Sequence, residues 1–470
     1  MTAAHSNTDK PAALPLRQIL AAGLVLACAA TATAFWMSNG APLHLVLAAW
    51  VIGTAIFLWA SALVPEYLTA LVLFFLAVLT QIAPPSVVFS GFHSSAVWLV
   101  FGGLILGLAV QQSGIADRAV ALALRAGHTS YSTVIWSLAA VGLGLAFVVP
   151  SAMGRVMIMI PIVIALADRM GFASGSSGRT GMVLTVGLGT TLPAFGILPS
   201  NVPNMAMMGA AGSIYGLDFQ YGDYFLLNFT VLGFLTFLAI PMVIVRLFSQ
   251  DLSSAPNQPA AAPWTGPERR LVAILALTIM FWASDFAHGI SPAWVALGAA
   301  IACLTPRLGV IEPAALARVN FGPWIFVAGV IGLGAIASHS GLAAQVGQLM
   351  VSVMDLGALA TWQQYAGIVI MGMVTGVVTS LPAAPAVMTP LAQSLAETSG
   401  WPLESVLMAQ VPTWTIFAFP YQAPPLVIAL ALGGVRMSRA MPAMLTLFIF
   451  GIAVTIPVHF LWMRLLGVLP

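Results

Sequence analysis

The chain has 470 residues, of which 60% are hydrophobic and 6% charged, with a mean hydropathy of +1.02. That composition excludes a soluble domain and points to an all-α polytopic membrane protein. A formal charge of +2 is too small to suggest a nucleic-acid partner, and Cys28 and Cys303, both in apolar runs, make neither a disulfide framework nor a metal knuckle.

Residues 1–16 are polar and lack a small-residue cleavage site, so they read as a cytoplasmic tail. Leu16–Trp36 then reads as a retained first span, with a signal-anchor as the alternative. Further apolar segments, each of about 20 residues, lie near 43–60, 62–82 and 95–112. A broken pair follows at 131–150 and 152–168, then an interrupted segment at 180–213 and a continuous one at 225–248. Residues 249–266 have the Pro/Ala/Ser composition of a linker. The second half has segments near 267–288, 291–307 and 322–340, a second broken pair at 362–380 and 382–395, an interrupted segment at 404–433, and a last one at 439–466. The expected count is eleven spans and two re-entrant hairpins.

The two halves echo each other. Ser151 opens one apolar run ending at Pro161, and Ser380 opens another ending at Pro390; both positions recur at a separation of 229 residues. Trp98-Leu99-Val100-Phe101-Gly102-Gly103 is answered by Trp324-Ile325-Phe326-Val327-Ala328-Gly329. The interrupted segments carry Pro193 to Asn204 in one half and Phe419 to Pro425 in the other. The repeats are therefore placed at 17–248, with a hairpin near 131–168, and at 267–470, with a hairpin near 362–395.

Arginine sets the expected orientation. With the N-terminus inside, the cytoplasmic loops carry nearly all cations, Arg118, Arg125, Arg169, Arg179, Arg246, Arg307 and Arg436 among them, and Arg464 is the exception. Arg125 and Arg169 flank the first hairpin, whereas Asp355 and Glu397 flank the second. The hairpins thus enter from opposite sides, as in inverted-topology repeats of secondary transporters.

Several prolines in one span break the helix, freeing carbonyl oxygens before the break and N–H groups after it. Freed carbonyls suit Na⁺, and helix N-termini suit anions. Arg155 is the one cation placed inside the membrane. It either pairs with an anionic substrate or bonds free carbonyls at the hairpin tip. Asn201 and Asn204 either contact substrate or cap a half-helix. Gln422, beside Tyr421, is either a ligand contact or an interhelical hydrogen bond, and Ser151 and Ser380 either ligate or cap. His93 and His339 read as interfacial or packing residues, and Asp168-Arg169 as a cytoplasmic pair. Met153 and Leu381 make the site apolar. Glu66 is the sole doubtful intramembrane carboxylate, so no proton relay stands out.

At these residues the chain resembles the divalent anion/sodium symporter family. Ala62-Leu63-Val64-Pro65, the Trp98–Gly114 stretch and both hairpin-and-proline pairs stand in family order. The family marks each hairpin tip with Ser-Asn-Thr. Here the Ser is kept, but the tips read Ser151-Ala152-Met153 and Ser380-Leu381-Pro382. The Asn and Thr side chains that touch substrate carboxylates and sodium in the family are missing from both tips. The resemblance together with the residue readings above places a candidate substrate site at Ser151, Ala152, Met153, Arg155, Ser200, Asn201, Pro203, Asn204, Ser380, Leu381, Pro382, Tyr421, Gln422, Ala423 and Pro424. It implies Na⁺ sites at Ser151, Ser200, Thr379, Ser380 and Ala423, and no other cofactor. The function implied is a secondary active transporter of a small anion, such as a dicarboxylate or sulfate, acting by alternating access as a homodimer in the cytoplasmic membrane. A uniporter, exchanger or channel without Na⁺ coupling is the alternative. An intramembrane enzyme would need a His/Asp, Ser/Lys or metal set, and none is found.

Overall fold

The computed structural model describes residues 33–34, 42–61, 63–115, 118, 130–149, 151–251, 263–307, 309–346, 356–378 and 381–470. The expected tail at 1–16, nearly all of the first span and most of the linker lie outside these residues, as do Thr379 and Ser380.

The described elements are helical. The first half contains α1 (Leu43–Ser61), α2 (Glu66–Leu79), α3 (Ser95–Ser113), α4 (Tyr131–Val148), α5 (Ala152–Arg169), α6 (Ser177–Gly189), α7 (Val202–Tyr215) and α8 (Tyr221–Phe248). The second contains α9 (Gly266–Ala283), α10 (Pro292–Leu304), α11 (Gly322–His339), α12 (Thr361–Val378), α13 (Ala384–Met388), α14 (Ala392–Ser399), α15 (Leu403–Gln410), α16 (Pro424–Leu432) and α17 (Met437–Leu465). Their starts follow local chemistry. Ser94, Ser130, Ser151 and Ser176 each accept a backbone N–H from the first turn of α3, α4, α5 and α6. Gly114 and Gly341, which follow α3 and α11, sit at φ of 76° and 77°, where a side chain would be strained.

Those echoes have a packing cause. Helix α3 lies against α10, and its counterpart α11 lies against α2, so each contact joins one half to the other. A Cβ on Gly102 would meet the Ala296 backbone at 2.8 Å, and one on Gly329 would meet the Ala70 Cβ at 2.4 Å. Without a hydrophobic drive between helices in lipid, close backbone approach through small residues is what holds such crossings.

Hydrogen bonds fix the depth of the first hairpin. Tyr131, opening α4, donates to Gly178 O at 3.0 Å, and Asp168, closing α5, pairs with Arg179. Both arms therefore share an end with the start of α6. At the other extreme, Ser200 Oγ donates to Ala146 O, and Arg155 bonds Thr190 O at 2.7 Å. The tip stops where α6 breaks, and α7 continues beyond it. By length and composition, Tyr131–Val148 is long and apolar enough to cross a membrane.

The second hairpin points the other way. Gln364, in α12, bonds Ser399 O at 3.5 Å, and Tyr215, ending α7, bonds Thr389 O and Pro390 O at 3.0 and 3.1 Å. Its outer ends therefore lie with the end of α7, opposite Arg179. Hairpin and broken helix are exchanged between halves: α5 packs on α16, and α13 packs on α7. Arg169, Arg179, Arg246, Arg436 and Arg439 mark one end of this core; Asp218, Glu397, Glu404 and Arg464 mark the other.

One feature has no signal in the apolar pattern. The long helices α8 and α17 each contain a π-helical turn, at Phe229–Gly233 and Gly451–Thr455. Such turns insert a residue without ending the helix.

Candidate functional site

A cavity of about 230 Å³ lies where the first hairpin tip, both broken segments and Leu381-Pro382 of the second hairpin meet the starts of α2 and α11. Five helices begin at its wall: α2 at Glu66 and Tyr67, α5 at Ala152 and Met153, α7 at Val202 and Pro203, α11 at Gly322 and Pro323, and α16 at Pro424 and Pro425. Each helix start carries up to about half a positive charge from its aligned peptide dipoles. The described lining contains no Lys, Arg or His, and Glu66 is its one acid. Any positive partial charge at the described wall comes from the main chain.

Arg155 corrects one expectation. It is fully buried and lies outside the cavity wall. Its Nε and Nη2 donate to Thr190 O at 3.0 and 2.7 Å. Nη1 donates to Ser200 O at 3.1 Å and to Val149 O, and Nη2 also reaches Asn201 Oδ1 at 3.3 Å. A guanidinium has five N–H donors, and all are taken by protein oxygens. Arg155 is therefore a brace between the tip and the break, with no donor left for a ligand.

Asn201 does line the cavity. Its Nδ2 donates to Thr191 O at 3.2 Å, its Oδ1 accepts from Arg155, and the amide has a second N–H. Asn204 is not on the wall. Its Nδ2 donates to Phe195 O and Ile197 O at 3.0 and 3.1 Å, and its Oδ1 accepts from Trp414 Nε1 at 3.2 Å. It ties the broken segment together and to the other half. Ser200 is likewise buried behind the wall, spent on Ala146 O.

Of the second-half residues expected at the site, Leu381, Pro382, Ala423 and Pro424 line the cavity. Gln422 does not: it is buried, and its Oε1 accepts from Ala418 N and Phe419 N at 3.2 and 3.0 Å. Tyr421 is half exposed and stacks on Phe419 away from the wall. The Leu381 N–H bonds Gln422 O at 3.2 Å and so joins the second tip to its break. Ser151, Ala152, Met153 and Pro203 line the cavity as expected; the Ser151 Oγ accepts from Gly154 N at 3.1 Å, so it also caps.

Residues missed by sequence reasoning are Glu66, Tyr67, Asn320, Gly322, Pro323 and Phe326 from the flanking helices, and Thr191, Phe195, Val202 and Pro425 from the broken segments. Pro65 and Pro323 marked the two flanking helix starts, but nothing in the sequence placed those starts beside the hairpin tips.

The oxygens freed in the first half, on Val149, Thr190 and Ser200, already surround the Arg155 guanidinium. Ser200 Oγ is turned to Ala146. The expected sites at Thr379 and Ser380 lie outside the described residues.

Inverted halves, hairpins and broken helices around one central cavity are the architecture of a membrane transport protein. The chain belongs to the citrate transporter family, whose model (CitMHS) matches residues 55–433. It is 25% identical over 291 residues to a membrane protein of Cupriavidus necator, spanning 57% of this chain and 56% of that one. It is 23% identical over 231 residues to the chloroplastic dicarboxylate transporter 2.2 of Arabidopsis thaliana, spanning 46% of this chain and 42% of the relative. These alignments span about half the length of the curated relatives. The solved structure of the Alcanivorax borkumensis YdaH transporter shares the fold, with a TM-score of 0.56 at 14% identity over 80% of this chain and 86% of that one.

Proposed function

We propose that this chain is a secondary carrier of small carboxylate anions, working by alternating access in the cytoplasmic membrane with its N-terminus inside. One observation carries the reading: five helix N-termini converge on a single cavity that holds no basic side chain among its described residues. Main-chain N–H groups and dipoles favour an anion there without the desolvation cost of a buried cation at the wall. Family membership and the dicarboxylate-transporter relative support a carboxylate as cargo.

The structure matches an inward-facing state in this reading. Helix α7 is covered by α3 and α11, whereas α16 rests on the hairpin and α6. Access then comes from the arginine-rich end, which the positive-inside rule places in the cytoplasm. The hairpins are re-entrant in this reading, and outward-facing apolar side chains such as Phe75, Met242, Ile449 and Leu461 meet lipid. A homodimer is expected from the resemblance and is checked by light scattering in detergent.

The coupling reading that suits Arg155 is uniport or exchange without Na⁺ at the first half, because a tethered cation fills the carbonyl cradle. Purified protein in liposomes is expected to show saturable carboxylate uptake and stimulation by unlabelled substrate on the far side. Linear uptake without counterflow would point to a channel and end the carrier reading.

A further inference from the structure

We propose that the cargo carries an ammonium group as well as its carboxylate, and that Glu66 with the rings of Tyr67 and Phe326 forms the subsite for it. This rests on the carrier reading above and concerns the chemistry of the cargo.

Glu66 is the part of the cavity wall that the carrier reading leaves unused. It is the one acid of the described lining, which holds no Lys, Arg or His. No hydrogen bond or ion pair from a described residue reaches its carboxylate. Its backbone is held in place, because Trp59 Nε1 donates to Glu66 O at 3.0 Å. As the first residue of α2, Glu66 stands at the positive end of its own helix, which favours a negative charge there. A carboxylate drawn away from bulk water is costly unless it is paired. An anion entering alone would bring a second negative charge into a cavity of about 230 Å³. An ammonium group on the same guest turns that repulsion into attraction.

The surroundings of Glu66 favour an organic cation. Trp59 packs edge-on against Phe326, with ring centroids 5.4 Å apart at 89°. Tyr67 follows Glu66 on α2, and a Cβ on Gly322 would fall 3.2 Å from its ring. Glu66, Tyr67 and Phe326 are therefore one group at the adjoining starts of α2 and α11, and all three line the cavity. Aromatic faces attract ammonium groups, and the carboxylate supplies the counter-charge. A hard inorganic cation would instead call for a shell of about six oxygens. The neighbouring lining is Gly322, Pro323 and Asn320, and Asn320 Oδ1 already accepts from Gly322 N at 3.0 Å. The helix starts at the wall serve the carboxylate end of the guest, as in the carrier reading.

Butanoate, 2-aminobutanoate and 4-aminobutanoate share a carbon chain and a carboxylate and differ in the ammonium group. Each, with succinate as a control, is titrated calorimetrically into the purified, detergent-solubilised full chain at pH 7.5, with and without Na⁺. Counterflow of each is measured in proteoliposomes. At least one amino derivative is expected to bind about tenfold more tightly than butanoate. Glu66→Gln is expected to remove most of that preference, and Tyr67→Leu, which keeps the charge, about half of it. Butanoate or succinate binding as tightly as both amino derivatives, with counterflow, overturns the ammonium subsite and leaves the carrier reading standing. Butanoate binding that tightens with Na⁺ in the wild type but not in Glu66→Gln also overturns it, because the carboxylate then holds an inorganic cation. A preference that survives in Glu66→Gln overturns the part assigned to Glu66. Counterflow with none of the four overturns the carrier reading as well.

Discussion

Arg155 lays one edge of its guanidinium across the Thr190 carbonyl, with Nε at 3.0 Å and Nη2 at 2.7 Å. The pair joins the start of α5 to the end of α6, and so holds the hairpin tip against the broken segment. Two interrupted pieces of backbone, each with oxygens to satisfy, are closed by one side chain.

Replacing Arg155 by Met should therefore cost stability before it costs chemistry. Removing the guanidinium leaves the buried Thr190 and Ser200 carbonyls without donors, at a cost of about 1–3 kcal/mol. The expected result is a clearly lowered unfolding temperature in detergent together with loss of uptake. For Arg155→Ala, added guanidinium ion should recover part of the lost stability; wild-type stability with lost uptake would instead make Arg155 a substrate contact.

Wild-type uptake should be indifferent to replacing Na⁺ by choline, since the first oxygen cradle is already filled by a cation. Initial rates in liposomes with imposed ion gradients check this. A rate that rises severalfold with an inward Na⁺ gradient would place the coupling site in the second half.

Asn201 and Asn204 look equivalent in sequence and should behave differently. Asn204→Ala leaves the buried Trp414 Nε1 without its acceptor and removes one donor from each of the Phe195 and Ile197 carbonyls, at a cost of about 1–3 kcal/mol. It should lower thermal stability. Asn201→Ala should chiefly raise KM, because Asn201 is the one of the two on the cavity wall. Thermal scans and uptake kinetics on both variants separate these effects.

Gly329→Ala should destabilise by about 1–3 kcal/mol through overpacking, since its new Cβ falls 2.4 Å from that of Ala70. Adding Ala70→Gly should return part of the loss, measured as a rise in unfolding temperature over the single variant. Additive losses would mean that the helix crossing tolerates the methyl and that the damage arises elsewhere.

A cysteine at Met153 reports the open side. In inside-out vesicles, Met153→Cys should react with a membrane-impermeant maleimide and be shielded by substrate. In intact cells it should stay unlabelled. The reverse pattern would invert the assigned orientation.

Much of this architecture is legible in the chain. Proline clusters mark both broken segments, because proline cannot donate the helical hydrogen bond, and Ser151 stands at the break between α4 and α5. The Trp-led echoes fall on α3 and α11, and two of their glycines, Gly102 and Gly329, lie at close crossings with α10 and α2. The π-turns in α8 and α17 were not legible, since a one-residue insertion leaves an apolar run apolar. The cavity was legible only in part. Ser151, Met153, Asn201, Pro203 and Leu381 were found, but Glu66, Asn320 and Pro323 were not, as they come from helices remote in sequence from the tips.

The sequence alone determined that the chain is helical, built for a membrane, duplicated and interrupted at matched places. Composition, proline chemistry and spacing are local properties, and they suffice for that. Tertiary structure decided which polar groups face the cavity and which serve as braces. Arg155, Asn204 and Gln422 carry donors or acceptors that suit either role, and only the folding of each break onto its tip brings the competing backbone groups within reach. A side chain's partner depends on what the fold delivers to within 3 Å of it, and no pattern along the chain encodes that distance.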